Sequence, residues 1–358
     1  MLQLFNLSLL IVLLLISPST YAEPLLAYLN KLKCSACHVN PDGGGLRNSF
    51  GNTYGYSVLP QKRLGTDSAD IGKVSDYLRL GGNFRSNAEY VKDKADQEST
   101  TFKVDSAQLY LAFNINDTLT FYLDQKLAPG SAINREAFVM YQFNHNDFVK
   151  VGKIYVPFGI RLEDDSALVR QATGFNFDSS DNGIELGFEQ DHSTLNIFMT
   201  NGTSAVSNDD NNFLYGLRAE YLFGNARVGT TFTFNDREQG KRQIANLYGA
   251  YSLGKFTLLT EWDWIESEQT TGETQEQLVG LFELNYQWMS GLNIKLTSEW
   301  HDPDREISED QETRYSLVTE YTPFSHIQLR AGIRVMDSIP QFEQRNNDLL
   351  FIQTHFYF

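Results

Sequence analysis

The stretch that decides the fold is "NDLLFIQTHFYF", residues 347–358. Its side chains alternate between two faces of an extended strand, with Leu350, Ile352, Thr354, Phe356 and Phe358 on one face and Phe351, Gln353, His355 and Tyr357 on the other. A transmembrane β-strand needs this period of two, because lipid-facing and lumen-facing side chains alternate along it. Similar runs recur from residue 75 onward, separated by Gly, Asn, Asp and Ser.

Sixteen such runs follow one another, an even number, as single-chain bacterial barrels have. They are predicted near residues 75–90, 101–114, 117–128, 131–144, 147–156, 182–190, 193–201, 212–223, 225–235, 242–253, 255–267, 275–288, 291–301, 311–322, 326–337 and 347–358. Short turns such as "NDT" alternate with mostly long polar links such as "VKDKADQEST", the asymmetry of periplasmic turns and external loops. The sequence therefore predicts an all-β fold, a transmembrane outer-membrane β-barrel of about 16 antiparallel strands over residues 75–358.

A soluble β-sandwich or β-solenoid is the alternative fold. The even strand count, the alternation of turn lengths and the aromatic C-terminal strand all count against it. The 25 Phe, 18 Tyr and 4 Trp of the chain also suit the aromatic girdles of a membrane barrel.

The residues before the barrel divide into two parts. Residues 1–22 are predicted to be a secretory signal peptide, with an apolar run that is shorter than the roughly 20 residues of a transmembrane helix. Its start lacks Lys and Arg, and the alternative is an N-terminal membrane anchor.

Residues 23–74 form a small head of net charge +2, while the whole chain carries −16. The body is therefore acidic, which argues against nucleic acid as a partner and favours cations.

The head contains the motif Cys34-Ser35-Ala36-Cys37-His38, whose spacing is that of a c-type haem attachment site. In such a site Cys34 and Cys37 tether one covalent haem c, and His38 is the proximal ligand of the haem iron. A redox dithiol or half of a zinc site are the alternatives, but no thioredoxin-like pattern or further ligands stand nearby. The motif therefore predicts a small α-helical plug that carries one haem.

The second axial ligand is left open by the sequence. Between Glu23 and Ser75 there is no Met, and His38 is the only His. His355, predicted to face the lumen near the periplasmic end of the last strand, is our first candidate for a distal haem ligand, and His326 is the second. A polar rim histidine is the plain alternative for each. Other options are a Lys, Tyr or Asn of the head, the N-terminal amine, water, or one of His145, His192 and His301.

The link after the fifth predicted strand, "VPFGIRLEDDSALVRQATGFNFDSSDN", is unusually long. It looks similar to the loop of general porins that folds into the lumen and constricts it. Glu163, Asp164 and Asp165 within it are candidate ligands for the capture of Fe(II), because hard oxygen ligands bind divalent cations. The alternatives are a solvated acidic loop, or a porin constriction in which acids face arginines.

A monohaem head joined to a sixteen-stranded barrel resembles the fused cytochrome–porin family of outer-membrane iron oxidases. The resemblance rests on this architecture and on "CSACHVNPDGGGLRNSFG", where Pro41 and Phe50-Gly51 look like positions of that family. Residues Gly43 to Gly45 depart from its pattern. The resemblance implies an Fe(II)-oxidising oxidoreductase in the bacterial outer membrane. It would pass electrons from extracellular Fe(II) to periplasmic c-type cytochromes or other carriers, with the haem head beneath the barrel or in its lumen.

Two other functions remain open at this stage. The chain would serve as a porin-like sheath or relay within a multihaem electron conduit, or as a cation-selective diffusion porin with a structural or sensor haem plug. Outer-membrane lipid is an expected partner in every case. A homotrimer is expected only by analogy with porins.

Overall fold

The computed structural model describes residues 24–65, 71–94, 96–144, 146–237, 240–268, 271–339 and 346–358, so the predicted signal peptide lies outside the described residues. The described residues form sixteen strands: β1 (Leu78–Asp93), β2 (Glu98–Asn114), β3 (Leu119–Ala128), β4 (Ile133–Phe143), β5 (Asp147–Ile154), β6 (Asp181–Glu189), β7 (Ser193–Thr200), β8 (Leu214–Phe223), β9 (Ala226–Arg237), β10 (Gly240–Leu253), β11 (Phe256–Glu268), β12 (Thr274–Met289), β13 (Leu292–Asp302), β14 (Glu312–Phe324), β15 (Ile327–Asp337) and β16 (Asn347–Tyr357). Each strand pairs antiparallel with the next, and β1 pairs with β16 to close the barrel. The predicted fold class is confirmed.

Strand boundaries differ from the prediction by at most a few residues. The largest differences concern the first two strands: β1 begins three residues later than predicted, and β2 begins three residues earlier. Before β1, the Ser75 hydroxyl accepts hydrogen bonds from the backbone N–H groups of Tyr77 and Leu78, at 3.2 and 3.0 Å. This side chain holds a turn that delays the strand, which is a common use of serine.

The two faces of the wall differ as a membrane barrel requires. Along β16, Leu350, Ile352 and Phe356 are exposed on the outside, whereas Gln353 and His355 are buried on the inside. The other strands repeat this alternation, with apolar side chains outside and charged or amide side chains inside. An apolar outer band over a polar interior is typical of a barrel that spans a membrane.

The two ends of the barrel are also unlike. Seven connections at one end are only two to four residues long, and we call this the short-turn end. At the opposite, long-loop end the connection between β5 and β6 covers residues 155–180, which we call the inner loop. In outer-membrane barrels short turns lie on the periplasmic side, so the short-turn end is assigned to that side.

Helices are few and short. They are α1 (Pro24–Leu29), α2 (Ser49–Ser57) and α3 (Leu168–Thr173), together with a 3₁₀ turn at Cys34–Ala36. None of the helices in the described ranges has the length and apolar character needed to cross a membrane. The Asn48 side chain caps α2 by accepting a hydrogen bond from the backbone N–H of Gly51, at 2.9 Å.

We call residues 24–65 the plug; its buried part lies inside the short-turn half of the lumen, whereas residues 61–65 are exposed at the short-turn end. The Lys33 ammonium donates to the carbonyl of Ser193 beside one short turn, at 2.8 Å. On the other side of the barrel, the backbone N–H of Gln61 donates to the carbonyl of Thr322, at 2.9 Å. The plug is therefore fastened to the wall from opposite sides.

The inner loop meets the plug in the middle of the lumen. Its helix α3 contacts strands β11, β12 and β13, where the Arg170 guanidinium pairs with Glu261 at 3.1 Å. The apolar side chains of α1 and of the loop form one hydrophobic cluster with the facing wall, which includes Leu25, Leu26, Tyr28, Phe158, Ile160 and Val169. Part of the lumen is therefore occupied by a packed hydrophobic cluster.

A buried cation joins the plug to the wall of the barrel. The Lys150 ammonium on β5 is fully buried, and it pairs with Asp42 of the plug and with Glu185 on β6, the latter at 2.6 Å. It also donates to the Asn40 side-chain oxygen, at 3.1 Å. A buried charge is tolerated only with such partners, so the position of Asp42 is tied to this lysine. We call the contacts of Lys150 with Asp42 and Glu185 the latch.

Replacing Lys150 by methionine would leave two buried carboxylates without their cation. We expect Lys150→Met to lower the free energy of unfolding by about 3–5 kcal/mol, measured by urea denaturation in lipid vesicles with tryptophan fluorescence. The control is Lys255→Met, because the Lys255 ammonium is exposed and donates to the Trp288 carbonyl at 3.0 Å. Equal, small effects of the two substitutions would contradict the proposed latch.

Candidate functional site

The Cys-x-x-Cys-His motif is folded into a tight turn that brings its three candidate haem-binding side chains together. The backbone N–H groups of Cys37 and His38 both donate to the carbonyl of Cys34, at 3.1 and 3.0 Å. Cys34, Cys37 and His38 line one cavity of about 590 Å³ in the lumen, and both cysteines are free thiols. The structure thus brings together the three residues that the sequence singled out.

The three glycines that follow the motif have a structural role that the sequence did not reveal. Gly43, Gly44 and Gly45 have φ angles of +88°, +73° and +59°, which disfavour any residue with a side chain. A Cβ atom on Gly45 would also lie 2.0 Å from the Tyr122 hydroxyl on β3, and one on Gly43 would lie 3.0 Å from the Cβ of Cys34. Glycine is therefore needed to wrap the chain closely around the motif.

Burial keeps the reactive groups of the motif uncharged. Burial, together with the nearby Arg47 and Arg161 guanidiniums, lowers the pKa of His38 to about 3. Burial raises the pKa of the Cys34 thiol to about 11 and also raises the pKa of Cys37. Within the described part of the chain, His38 Nδ1 has no hydrogen-bond partner. The site therefore offers a neutral imidazole, the form that binds metals, beside two protonated thiols.

The cavity extends from the motif along the wall formed by β1, β2 and β16. Arg85 and Glu89 of β1, Lys103 of β2 and Leu349 of β16 line it, and their strands lead to the long-loop end. Among the described residues, nine Lys and Arg side chains and nine Asp and Glu side chains line the cavity, so the charges of this lining balance although the chain carries −16. Although the chain as a whole is acidic, the lining of this cavity therefore has no net negative charge that would attract cations.

The three acids of the inner loop point toward different arginines. Glu163 pairs with Arg85 at 2.7 Å, and Asp165 lies 3.5 Å from Arg135. Asp164 pairs with Arg334 at 2.5 Å and with Arg314 at 3.4 Å. Burial alone would raise the pKa of Asp164, but these two guanidiniums hold it well below the usual range.

This geometry favours the constriction-loop alternative over the capture of Fe(II). Among the described residues, no group of three or more His, Cys, Asp or Glu side chains is arranged to hold a metal ion. Adjacent acids in a loop need not converge, and here each carboxylate is engaged by a cation from the barrel wall. The capture of Fe(II) by Glu163, Asp164 and Asp165 stays a prediction without geometric support.

Replacing these three acids by amides should loosen the loop rather than remove a metal site. In the variant E163Q/D164N/D165N we expect faster proteolysis of the inner loop, because four barrel arginines each lose one carboxylate contact with the loop, although Arg135 keeps Asp178 and Arg314 keeps Glu299. We expect no high-affinity binding of Mn²⁺, used as a probe for Fe²⁺, by either the wild type or the variant in electron paramagnetic resonance titrations. Tight Mn²⁺ binding that the amides abolish would restore the capture hypothesis.

The candidate distal ligands lie in different surroundings. His355 is buried and faces the lumen, as predicted; its Nδ1 lies 3.0 Å from the Gln328 oxygen, and its Nε2 has no partner in the described residues. It does not belong to the lining of the cavity at His38. His326 lies at a short turn, with Nδ1 2.9 Å from the Tyr357 carbonyl. Neither assignment is tested by this geometry, and both stay predictions.

The remaining histidines lie away from the motif or outside the described residues. His192 is exposed at a short turn. His301 lies at the long-loop end of β13, where its Nδ1 is 3.6 Å from Glu312. His145 lies outside the described residues.

The sequence analysis missed the side chains that hold the motif in place. Glu136 on β4 accepts hydrogen bonds from the Asn40 amide at 2.9 Å, from Arg161 at 3.2 Å and from the backbone N–H of Tyr155 at 3.0 Å. One carboxylate therefore links the plug, the inner loop and the wall. The available signal was a charged residue at an inward-facing position of a predicted strand, but the strand pattern does not identify its partners.

Comparison with known proteins supports the barrel. No protein family model matches the sequence, and no curated protein matches it. Solved structures do match it: OmpT of Vibrio cholerae, lacking loop L8, has a TM-score of 0.63 at 14% identity and covers 78% of this chain and 99% of its own. The chain has the fold of an outer-membrane porin.

Other porin structures give the same result. An anion-selective porin from Comamonas acidovorans has a TM-score of 0.61 at 11% identity, covering 78% of this chain and 99% of its own. OmpF of Salmonella typhi, solved in complex with daunomycin, has a TM-score of 0.61 at 13% identity, covering 78% of this chain and 97% of its own. At such low identity the likeness concerns the fold alone. The cytochrome–porin resemblance of the N-terminal residues has no support from a family match.

Proposed function

We propose that the protein transfers electrons in the bacterial outer membrane through one c-type haem held inside the barrel. Cys34 and Cys37 would tether the haem, and His38 would ligate its iron. The observation that carries this proposal is that both thiols and the imidazole face one cavity in the lumen. Because these three side chains already meet in one cavity, attachment of the haem requires no separate metal-binding cluster elsewhere in the chain.

The residues of the cavity fit such a group. Both thiols are free, and the buried Nδ1 of His38 has no partner among the described residues. When bound, the haem supplies a one-electron iron couple. The chain would then contribute attachment, orientation and an apolar wall, to which Leu26, Tyr54 and Phe158 belong.

The position of the motif explains how a single haem would serve a membrane crossing. The hydrocarbon core is about 30 Å thick, too far for one haem that sits outside it. The plug lies within the short-turn half of the lumen, and the cavity extends toward the long-loop end. Fe(II), the donor implied by the resemblance, would reach the cavity from outside, and periplasmic c-type cytochromes would accept electrons at the short-turn end.

The second candidate function is that of a porin, and the fold comparisons favour it. A porin must keep an aqueous path through the lumen. Here α1 and the inner loop pack into a shared hydrophobic cluster across that path. We therefore propose that the porin-like barrel serves as a sheath around the plug, either alone or within a larger electron conduit. The trimeric state expected by analogy stays a prediction.

Covalent haem is the first test of the proposal. We expect the full chain, expressed with a cytochrome c maturation system, to bind one haem that survives denaturing electrophoresis and gives a c-type spectrum. The matched control C34S/C37S should fold as a barrel and carry no covalent haem. A wild-type barrel without covalent haem under these conditions would overturn the proposed function.

A conductance measurement distinguishes a barrel that acts as a sheath around the plug from a diffusion porin. We expect single-channel currents of the full chain in planar bilayers to be far below those of a general porin such as OmpF measured alongside. The reason is that the plug and the inner loop pack apolar side chains across part of the lumen. A conductance comparable with that of OmpF, with the haem in place, would favour the diffusion porin instead.

A further inference from the structure

We propose that Arg161, assisted by Arg47, forms a carboxylate-binding subsite in the lumen cavity. This inference deepens the proposed function. One of the two sources of the carboxylate, a haem propionate, rests on the proposed function, whereas the other, a free small carboxylate, does not. The subsite is separate from the residues that would tether the haem, and it has its own geometric basis.

Arg161 is buried with unused hydrogen-bond donors. Its side chain is only 8% exposed, and its Nη2 lies 3.2 Å from the Glu136 carboxylate. Its Nε and Nη1 atoms, although buried, have no hydrogen-bond partner in the part of the chain that the structure describes. Leaving buried donors unpaired is costly, and more so on a charged group, so an acceptor is expected beside them.

The guanidinium is held in place by two aromatic rings and by the backbone of the plug. It stacks on the rings of Tyr155 and Phe177, with centroid distances of 4.1 and 4.9 Å. Gly44 of the plug runs beside it, and a Cβ atom at this position would lie 2.9 Å from Arg161 Nε. The absence of a side chain at Gly44 lets the backbone of the plug pass close to the unused donor, and Arg161 contributes to the lining of the cavity.

Arg47 adds a second cation on the same cavity. Its guanidinium lies 4.5 Å from the centroid of the Tyr357 ring, and it has no carboxylate partner among the described residues. The other basic side chains of the lining are engaged by acids; Arg85 with Glu163 and Arg218 with Glu220 are examples. Among the described lining residues, Arg47 therefore brings a positive charge without a carboxylate partner, while Arg161 shares its charge with Glu136 and keeps two donors unused.

A carboxylate is the ligand that this arrangement fits. It accepts charge-assisted hydrogen bonds from guanidinium donors, which are stronger than neutral ones. A more highly charged anion such as phosphate would be disfavoured by Glu136, which already occupies one edge of Arg161. The carboxylate has two sources: a propionate of the bound haem, or a free small carboxylate that enters the cavity.

The test compares Arg161→Gln and Arg161→Lys with Lys126→Gln, whose ammonium lines the same cavity but pairs with Asp178 at 2.5 Å. In the holoprotein we expect R161Q to keep its covalent haem and to show a lower midpoint potential, because a positive charge near the iron favours the reduced state. R161K should recover part of the shift, and K126Q should match the wild type. This outcome identifies a propionate as the ligand.

The second arm uses acetate and equilibrium dialysis, with the full-length holoprotein and with C34S/C37S. Saturable acetate binding by the holoprotein that R161Q weakens about tenfold or more would identify a free carboxylate as the ligand. Absence of any R161Q effect on both potential and acetate binding would overturn the subsite. A wild type without covalent haem would reject the proposed function alone, since acetate binding by C34S/C37S would still test the subsite.

Discussion

The closure of the barrel is the constraint on which the rest of the structure depends. In a bilayer no water is available for backbone N–H and C=O groups, so a spanning sheet must pair every strand, and the pairing of β1 with β16 achieves this. Closure places half of all strand side chains in a shared interior. In this chain that interior is filled by the plug and by the inner loop, and the chemistry of the motif is enclosed with them.

Charge inside the barrel determines where the plug sits. Apolar contacts between α1 and the inner loop fill space, but they allow alternative placements. Buried ionic contacts are more selective, because a carboxylate shifted away from its cation is left as an unpaired buried charge. The contacts of Lys150 with Asp42 and of Glu136 with Asn40 therefore fix the turn that carries Cys34 and Cys37. The wall thus orients the motif.

The strands could be predicted because the residue pattern that produces each strand lies within a short stretch of the sequence. Alternation in β16 follows from the pleat of a single strand, and each short turn is visible in a few residues. The motif was recognised for the same reason, since its spacing lies within five residues. The latch could not be predicted, because Lys150 and Asp42 are 108 residues apart and meet only after the barrel closes.

Two features of the sequence do not reveal their contacts, for related reasons. The adjacent acids at 163–165 are candidate metal ligands by sequence, and that assignment stays a prediction, but successive loop residues point in different directions and meet different arginines. Residues 43–45 were noted only as a departure from a family pattern. Their role depends on Arg161 and Tyr122, which belong to the inner loop and to β3 and are distant in sequence.

The central claim is that the lumen holds a redox group between the two sides of the membrane. The most direct measurement is stopped-flow spectroscopy of the holoprotein in proteoliposomes, inserted in one orientation, with a membrane-impermeant electron acceptor enclosed inside. Adding Fe(II) outside should reduce the haem and then the enclosed acceptor, while liposomes containing C34S/C37S should transfer no electrons. A haem that becomes reduced while the enclosed acceptor stays oxidised, with the short-turn end facing inward, would contradict the account.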